Sequence, residues 1–372
     1  MTKSNANELA RSADVVITAH QDGSRWTIGN GLIEKTLHFT DGGGLRTGYL
    51  SAASQRAWAG SGGGEFGLRW NGFEIAPDAW ALDDVETASD GQSATLILHL
   101  RFDGMLKASV HLRCWSELAV IEQWLMLEAL QGGIASDVQP LRFRLDFGET
   151  PVLQWVSGVQ RQGGFKPESG EYRSFRLERK ALGEATIESG LRSTWDESPW
   201  FALSGGNDSG MFAGLRYSGQ WRADAACDGR ATSLDLAPVG IAKALAPGDR
   251  WTSPTLFFGV YAGDLDEAVA VQHDYHRQVL SPPLPDGFPW VQYNTWFSYL
   301  TDYDDARLRK EVDIAAELGM EIFYIDAGWY LGNQANDWHF AGGLGNWREN
   351  RGKFPDGIKA FADYVPSKGM RF

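Results

Sequence analysis

A carboxylate at the end of an apolar run is the feature of this sequence best suited to chemistry. In Phe323-Tyr324-Ile325-Asp326-Ala327-Gly328-Trp329-Tyr330 a strand-like stretch gives way to an acid, then to a glycine that lets the chain turn sharply. If the strand belongs to a barrel, its C-terminal end faces the mouth and Asp326 points at whatever binds there. The plainer reading of Asp326 is an N-cap or turn carboxylate holding the next loop. Trp296, Trp329 and Trp347 lie in the same part of the chain. A flat indole suits the apolar face of a sugar, and it suits the packing around a barrel core equally well. His339, next to Asp337 and Trp338, could contact a ligand but reads more simply as a solvated loop histidine.

Other chemistries find little support. Cys114 and Cys227 have no metal-ligand neighbours and are too far apart in sequence to form a zinc motif or a disulfide framework. They read as buried thiols. The glycine runs Asp41-Gly42-Gly43-Gly44 and Gly60-Ser61-Gly62-Gly63-Gly64 are followed by neither Lys-Ser nor Lys-Thr, so they read as loops rather than phosphate cradles. No metal and no cofactor are expected.

The elements around these residues change period along the chain. From about Trp26 to Tyr261, short alternating runs are separated by Gly, Asp, Asn and Ser, the pattern of antiparallel strands. Leu96, Leu98, Leu100 and Phe102 share a face, Asp103-Gly104 supplies a turn, and Leu106, Ala108, Val110, Leu112 and Cys114 alternate on the way back. Leu141, Phe143, Leu145 and Phe147 form another run, as does the stretch from Leu215 to Trp221. Asp264, with Glu267 three residues on, predicts a helix carrying Ala268, Val271, Tyr275 and Val279. Four prolines between Ser281 and Pro289 then mark a boundary. Beyond it the pattern predicts a strand over Trp290–Trp296 and a helix over Asp304–Leu318 with Leu308, Val312, Ala315 and Leu318 inward. A strand over Glu321–Asp326 follows, then a helix from Pro355 with Ile358, Phe361, Ala362 and Val365 on one face, and a third strand opening at Met370. The expected fold is therefore multidomain: a large antiparallel β-sandwich over 1–280, a proline-rich linker over 281–289, and βα units over 290–372. Pattern alone leaves open whether those units start a TIM barrel or a doubly wound sheet.

Composition narrows the partners. Of 372 residues, 48 are Asp or Glu against 34 Lys or Arg, and the net charge of −14 repels phosphate backbones, so nucleic acid is not an expected partner. Met1 to Ala10 is polar and no apolar stretch is long enough for a bilayer, so no membrane partner and a cytoplasmic location are expected. Sixteen tryptophans favour carbohydrate weakly, because many could simply fill a large β core.

The run from Trp290 to Phe372 resembles the start of the catalytic barrel of glycoside hydrolase family 36, the melibiase-type α-galactosidases. The resemblance rests on Asn294-Thr295-Trp296, Ala315-Ala316-Glu317-Leu318-Gly319-Met320-Glu321, Asp326-Ala327-Gly328-Trp329, Leu344-Gly345-Asn346-Trp347, Lys353-Phe354-Pro355-Asp356-Gly357 and Lys368-Gly369-Met370. Pro199-Trp200-Phe201-Ala202-Leu203, Leu215-Arg216-Tyr217-Ser218-Gly219 and the stretch from Leu245 through Pro254 are similar to later strands of the family's N-terminal supersandwich.

The resemblance implies a truncated (β/α)8 barrel and retaining hydrolysis of terminal α-galactosides. Two carboxyl groups about 5–5.5 Å apart carry that mechanism. In the family they stand on the fourth and sixth barrel strands, so the nucleophile and the acid/base are expected beyond Phe372 and the chain alone is expected to be inactive. Asp302, Asp304 and Asp305 read instead as caps of the first barrel helix, and Asp286 as part of the linker. The family's second strand ends in Asp-Asp-Gly-Trp, both acids holding galactose hydroxyls. Asp326 matches the first acid, Ala327 stands at the second, and Asn346 replaces the usual Asp before Trp347. The resemblance thus assigns Asp326, Trp296, Trp329 and Trp347 to substrate binding and an oligosaccharide or galactoside as partner, and leaves oligomeric state open. Alternatives are an enzyme hydrolysing or transferring another α-linked sugar, and a non-catalytic carbohydrate-binding protein.

Overall fold

The computed structural model describes residues 6–52, 56–158, 175–190, 192–205, 209–333 and 342–372. They form two compact units, Met1–Leu280 and Ser281–Phe372.

The first unit contains two ten-stranded sheets and a smaller sheet of four strands. One large sheet runs, edge to edge, Ala6–Ser12, Val15–His20, Arg25–Gly29, Ile33–Phe39, Leu45–Ala52, Arg56–Gly60, Leu141–Asp146, Ala231–Pro238, Trp221–Cys227 and Glu184–Ser189. The other runs Arg176–Ala181, Val152–Ser157, Glu197–Ser204, Ser209–Arg216, Thr255–Ala262, Val120–Ala129, Leu106–Trp115, Ser93–Phe102 and Trp80–Ser89, with Arg250–Thr252 also pairing with Val120–Ala129. Strands thus begin at Ala6, earlier than Trp26, where the alternation becomes legible.

The hairpin of Ser93–Phe102 and Leu106–Trp115 shows why the alternation produces sheets. Asp103 and Gly104 both take positive φ, 42° and 65°, which sets the twist a tight antiparallel turn needs. The register then places Leu96, Leu98 and Leu100 opposite Leu112, Val110 and Ala108. All six are fully buried. Across the core, Phe143 of the first large sheet meets Phe258 of the second edge to face at 5.2 Å, and Trp221 meets Phe201 at 5.5 Å. Trp26, Trp58, Trp70, Trp80, Trp200 and Trp221 are buried, so much of the tryptophan content fills cores rather than binding surfaces. The run from Leu215 to Trp221 is not one strand. It ends Ser209–Arg216 in one sheet and starts Trp221–Cys227 in the other, crossing through Gly219.

The unit closes on a helix, Leu265–Tyr275, capped by the Asp264 carboxylate, which accepts from the Asp266 N–H at 2.9 Å. It lays Ala268 and Tyr275 into a second core with Trp200, Phe212 and Phe257. The buried Tyr275 hydroxyl donates to Glu122 at 2.5 Å, and Arg216 donates to the same oxygen at 2.7 Å.

In the second unit, strands Gln292–Asn294 and Ile322–Tyr324 pair in parallel, joined through the helix Asp305–Glu317. Arg371 bridges the outer side of the second strand, again in parallel. Leu308, Val312 and Ala315 pack with Phe323, Phe354, Phe361 and Val365. Leu318 does not join them: it is the C-cap and is 71% exposed, because the helix stops one residue before the inward face returns. Both strands are shorter than the apolar pattern implies, and the first ends at Asn294 because its side chain accepts the Trp296 N–H at 2.8 Å, starting the one-turn helix Trp296–Tyr299. The last helix is Ile358–Ser367, preceded by Gly357 at φ 88°, so Pro355 lies in the turn before it.

Candidate functional site

Asp326 lies two residues past the end of the second strand and is half-buried. Its surroundings explain the Asn294-Thr295-Trp296 motif one residue at a time. Asn294 donates its amide to Asp326 Oδ2 at 3.0 Å while its oxygen caps Trp296. Thr295, fully buried, accepts the Asp326 backbone N–H on its hydroxyl at 3.1 Å. The other carboxylate oxygen, Oδ1, accepts the Ala327 N–H at 2.8 Å. The end of the first strand therefore dictates where the acid of the second strand points. Each carboxylate oxygen has two lone pairs, and these two bonds leave acceptor capacity on both.

Behind the turn, Tyr303 donates its hydroxyl to the Ala327 carbonyl at 2.9 Å, and Lys353 donates to the Gly328 carbonyl at 2.8 Å. Burial, and to a smaller extent the charge of Asp326, pushes the Tyr303 hydroxyl well above the usual phenol range, so it stays a donor. Gly328 has φ 107°, and a Cβ there would come within 3.0 Å of Thr301 Cβ. This is the close approach that demands glycine in the motif.

The aromatic residues separate into two groups. Trp329 and Trp347 stack at 6.0 Å with 20° between rings, and Tyr330 stands edge-on to Trp347 at 5.7 Å. A short antiparallel connection, with the Leu331 N–H on the Arg348 carbonyl at 2.7 Å and the Asn350 N–H on the Trp329 carbonyl at 2.9 Å, brings them together. Trp347 is 59% exposed. Trp296 is half-buried on the first strand's side of the site. Asn346 donates its amide to the Leu331 carbonyl at 2.8 Å, which a carboxylate could not do, and accepts the Arg348 N–H on its oxygen. Its role here is to close the loop that carries Trp347. His339, with Asp337 and Trp338, lies outside the described residues.

Asp304 caps the first barrel helix by accepting the Arg307 N–H at 2.8 Å, and Asp305 pairs with Arg309 one turn on. Sequence reasoning did not assign Asn294, Thr295, Tyr303 or Lys353 individually. Three of them sit inside quoted motifs, but no spacing rule links positions so far apart in the chain. Among the described residues no His, Cys, Asp and Glu cluster could hold a metal ion, and no helix is long and apolar enough to cross a membrane.

Residues 250–372 match the sequence profile of the family described as Melibiase. Among curated proteins, α-galactosidase Mel36A of Lactobacillus acidophilus is 30% identical over 129 residues, 34% of this chain and 17% of that protein. α-Galactosidase AgaA of Geobacillus stearothermophilus is 26% identical over 189 residues, 48% of this chain and 25% of that protein. In fold, the family 36 α-galactosidase AgaB of Geobacillus stearothermophilus superposes with a TM-score of 0.77 at 17% identity, covering 96% of this chain and 56% of that one. The chain thus spans little more than half the length of that solved structure. Structures of AgaA variants include complexes with raffinose and with stachyose.

A large antiparallel supersandwich followed by parallel βα units is the fold that this chain shares with the solved family 36 α-galactosidases. More narrowly, residues 250–372 are similar to the melibiase family and, over part of their length, to curated α-galactosidases.

Proposed function

We propose that the full-length protein hydrolyses terminal α-galactosides with retention, and that Asp326 holds a hydroxyl of the sugar at the cleavage subsite without being nucleophile or acid. The observation that carries this reading is the fixed orientation of Asp326. Asn294, Thr295 and the Ala327 N–H set its direction and leave it able to accept more. The stacked Trp329 and Trp347 offer an indole face to the apolar side of a ring, and Trp296, at the start of the one-turn helix after the first strand, is assigned to the same subsite. An oligosaccharide of the raffinose kind is the matching partner. Cys114 and Cys227 are both unbridged, which suits a cytoplasmic location.

Two βα units cannot close a barrel, and the pair of carboxylates needed at about 5–5.5 Å is not assigned within this chain. The 372-residue polypeptide by itself therefore gives no turnover of an aryl α-galactoside. The test is to assay the full-length protein and the 372-residue chain side by side on that substrate, following the anomeric configuration of the product. Inversion, or no hydrolysis by the full-length protein, would overturn the proposal. A second reading, an enzyme for another α-linked sugar, is favoured by Ala327, which removes one charged acceptor where the family has an acid.

A further inference from the structure

The Asp326 turn is braced from behind by two side chains. Tyr303 is 4% exposed and donates to the Ala327 carbonyl at 2.9 Å and, at 3.4 Å, to that of Asp326 itself. Lys353 donates Nζ to the Thr301 carbonyl at 2.6 Å and to the Gly328 carbonyl at 2.8 Å, and lies 4.8 Å from the centre of the Tyr303 ring. Its own carbonyl accepts the Asp305 N–H at 2.9 Å, tying the brace to the first helix. The carbonyls of Asp326, Ala327 and Gly328 are thus all held, and Thr301 of the preceding loop is held with them.

The chemistry of the brace is unusual for a purely structural tie. Lys353 is half-buried and, among the described residues, makes no ion pair. Burial lowers its pKa from the ordinary value, with the charge of Asp302 acting in the opposite sense to a smaller extent. An ammonium whose contacts are carbonyls, with Asp302 acting on it only from beyond ion-pair contact, is a costly way to join two loops when neutral hydrogen bonds are available. It does give short, strong bonds that fix the turn's direction, and a recognition group needs its angle held within about 10–20°.

We propose that Lys353 and Tyr303 are positioning residues for substrate recognition, clamping the Asp326–Gly328 backbone so that the Asp326 carboxylate meets the sugar at a fixed angle. The inference rests on the reading of Asp326 as a sugar-hydroxyl acceptor. The test is a double-mutant cycle in the full-length protein with Lys353→Met, Asp326→Ala and the pair, reading KM and kcat on an aryl α-galactoside together with thermal unfolding. Lys353→Met lowers kcat/KM roughly fivefold to tenfold when Asp326 is present and less than twofold when it is absent. Equal losses in both backgrounds would mean that Lys353 acts independently of Asp326 and would overturn the inference. Should Lys353→Met not fold, Tyr303→Phe, which removes only the hydroxyl, decides by the same comparison. Wild-type kinetics in Asp326→Ala would overturn the reading of Asp326 itself, and the brace with it.

Discussion

Exchanging Asn294 and Asp326 separates what holds the site from what reads the substrate. In the native pair an amide donates to a carboxylate at 3.0 Å, the carboxylate's other oxygen takes the Ala327 N–H, and the Asn294 oxygen takes the Trp296 N–H. Asp326→Asn puts two amides face to face. Rotating the new amide only moves the clash to the Ala327 N–H, so one bond is lost in either rotamer. Asn294→Asp instead sets two carboxylates about one contact, and one must take up a proton. A hydrogen bond to a charged group contributes about 1.5–3 kcal/mol, and half-burial puts each single exchange near the low end, about 1–2 kcal/mol of stability. The double exchange restores every one of these donor–acceptor matches, with the charge moved to the end of the first strand. Denaturant unfolding of the full-length protein should therefore show most of the stability regained in the double variant. On the proposed role of Asp326, KM on an aryl α-galactoside should stay raised by about tenfold, because the charge would no longer stand where the proposed hydroxyl contact forms. Additive destabilisation in the double variant would refute the claim that this bond fixes Asp326. Recovery of KM would refute the claim that the position of the charge is what the sugar reads.

Three further outcomes are expected. Ala327→Asp restores the family's second acid and should raise preference for galactosides over other α-linked sugars; unchanged preference, measured as a ratio of kcat/KM values, would mean that another ring is bound. Gly328→Ala should destabilise the protein by about 1–3 kcal/mol in equilibrium unfolding, since φ 107° disfavours a side chain and the Cβ would press on Thr301; a neutral change would mean that the turn relaxes. His111, stacked on Trp124, has its pKa held at about 4 by burial and by the nearby His99 and Arg113. Because the folded value lies below the ordinary value of about 6.5, the unfolded chain takes the proton first, and the sandwich loses stability as pH falls from about 6.5 to about 4. His111→Leu should lose less over that window, and parallel pH profiles for the two proteins would count against the assignment.

What the sequence determined by itself is mostly local. Alternating apolar residues and the Asp103-Gly104 turn specify the hairpin of Ser93–Phe102 and Leu106–Trp115, since a period of two can bury only one face, and the register follows from the turn. The change to helical spacing after the prolines specifies the βα units, and Asp304 as helix cap was legible from its place before Leu308 and Val312. Asp326, as an acid before a glycine, stood out for the same reason. Tertiary structure decided the rest. The distribution of strands between two sheets depends on pairings such as Arg56–Gly60 with Leu141–Asp146, which no local pattern encodes. The break between Arg216 and Trp221 was hidden because alternation continues across a crossover between sheets. Leu318 kept the helical spacing yet faces solvent, because where a helix stops matters as much as its period. At the site, the sequence named the acid but not what aims it: Asn294, Thr295, Tyr303 and Lys353 come from four separate positions, and only folding brings their hydrogen-bonding groups within 3.1 Å of the turn's polar atoms.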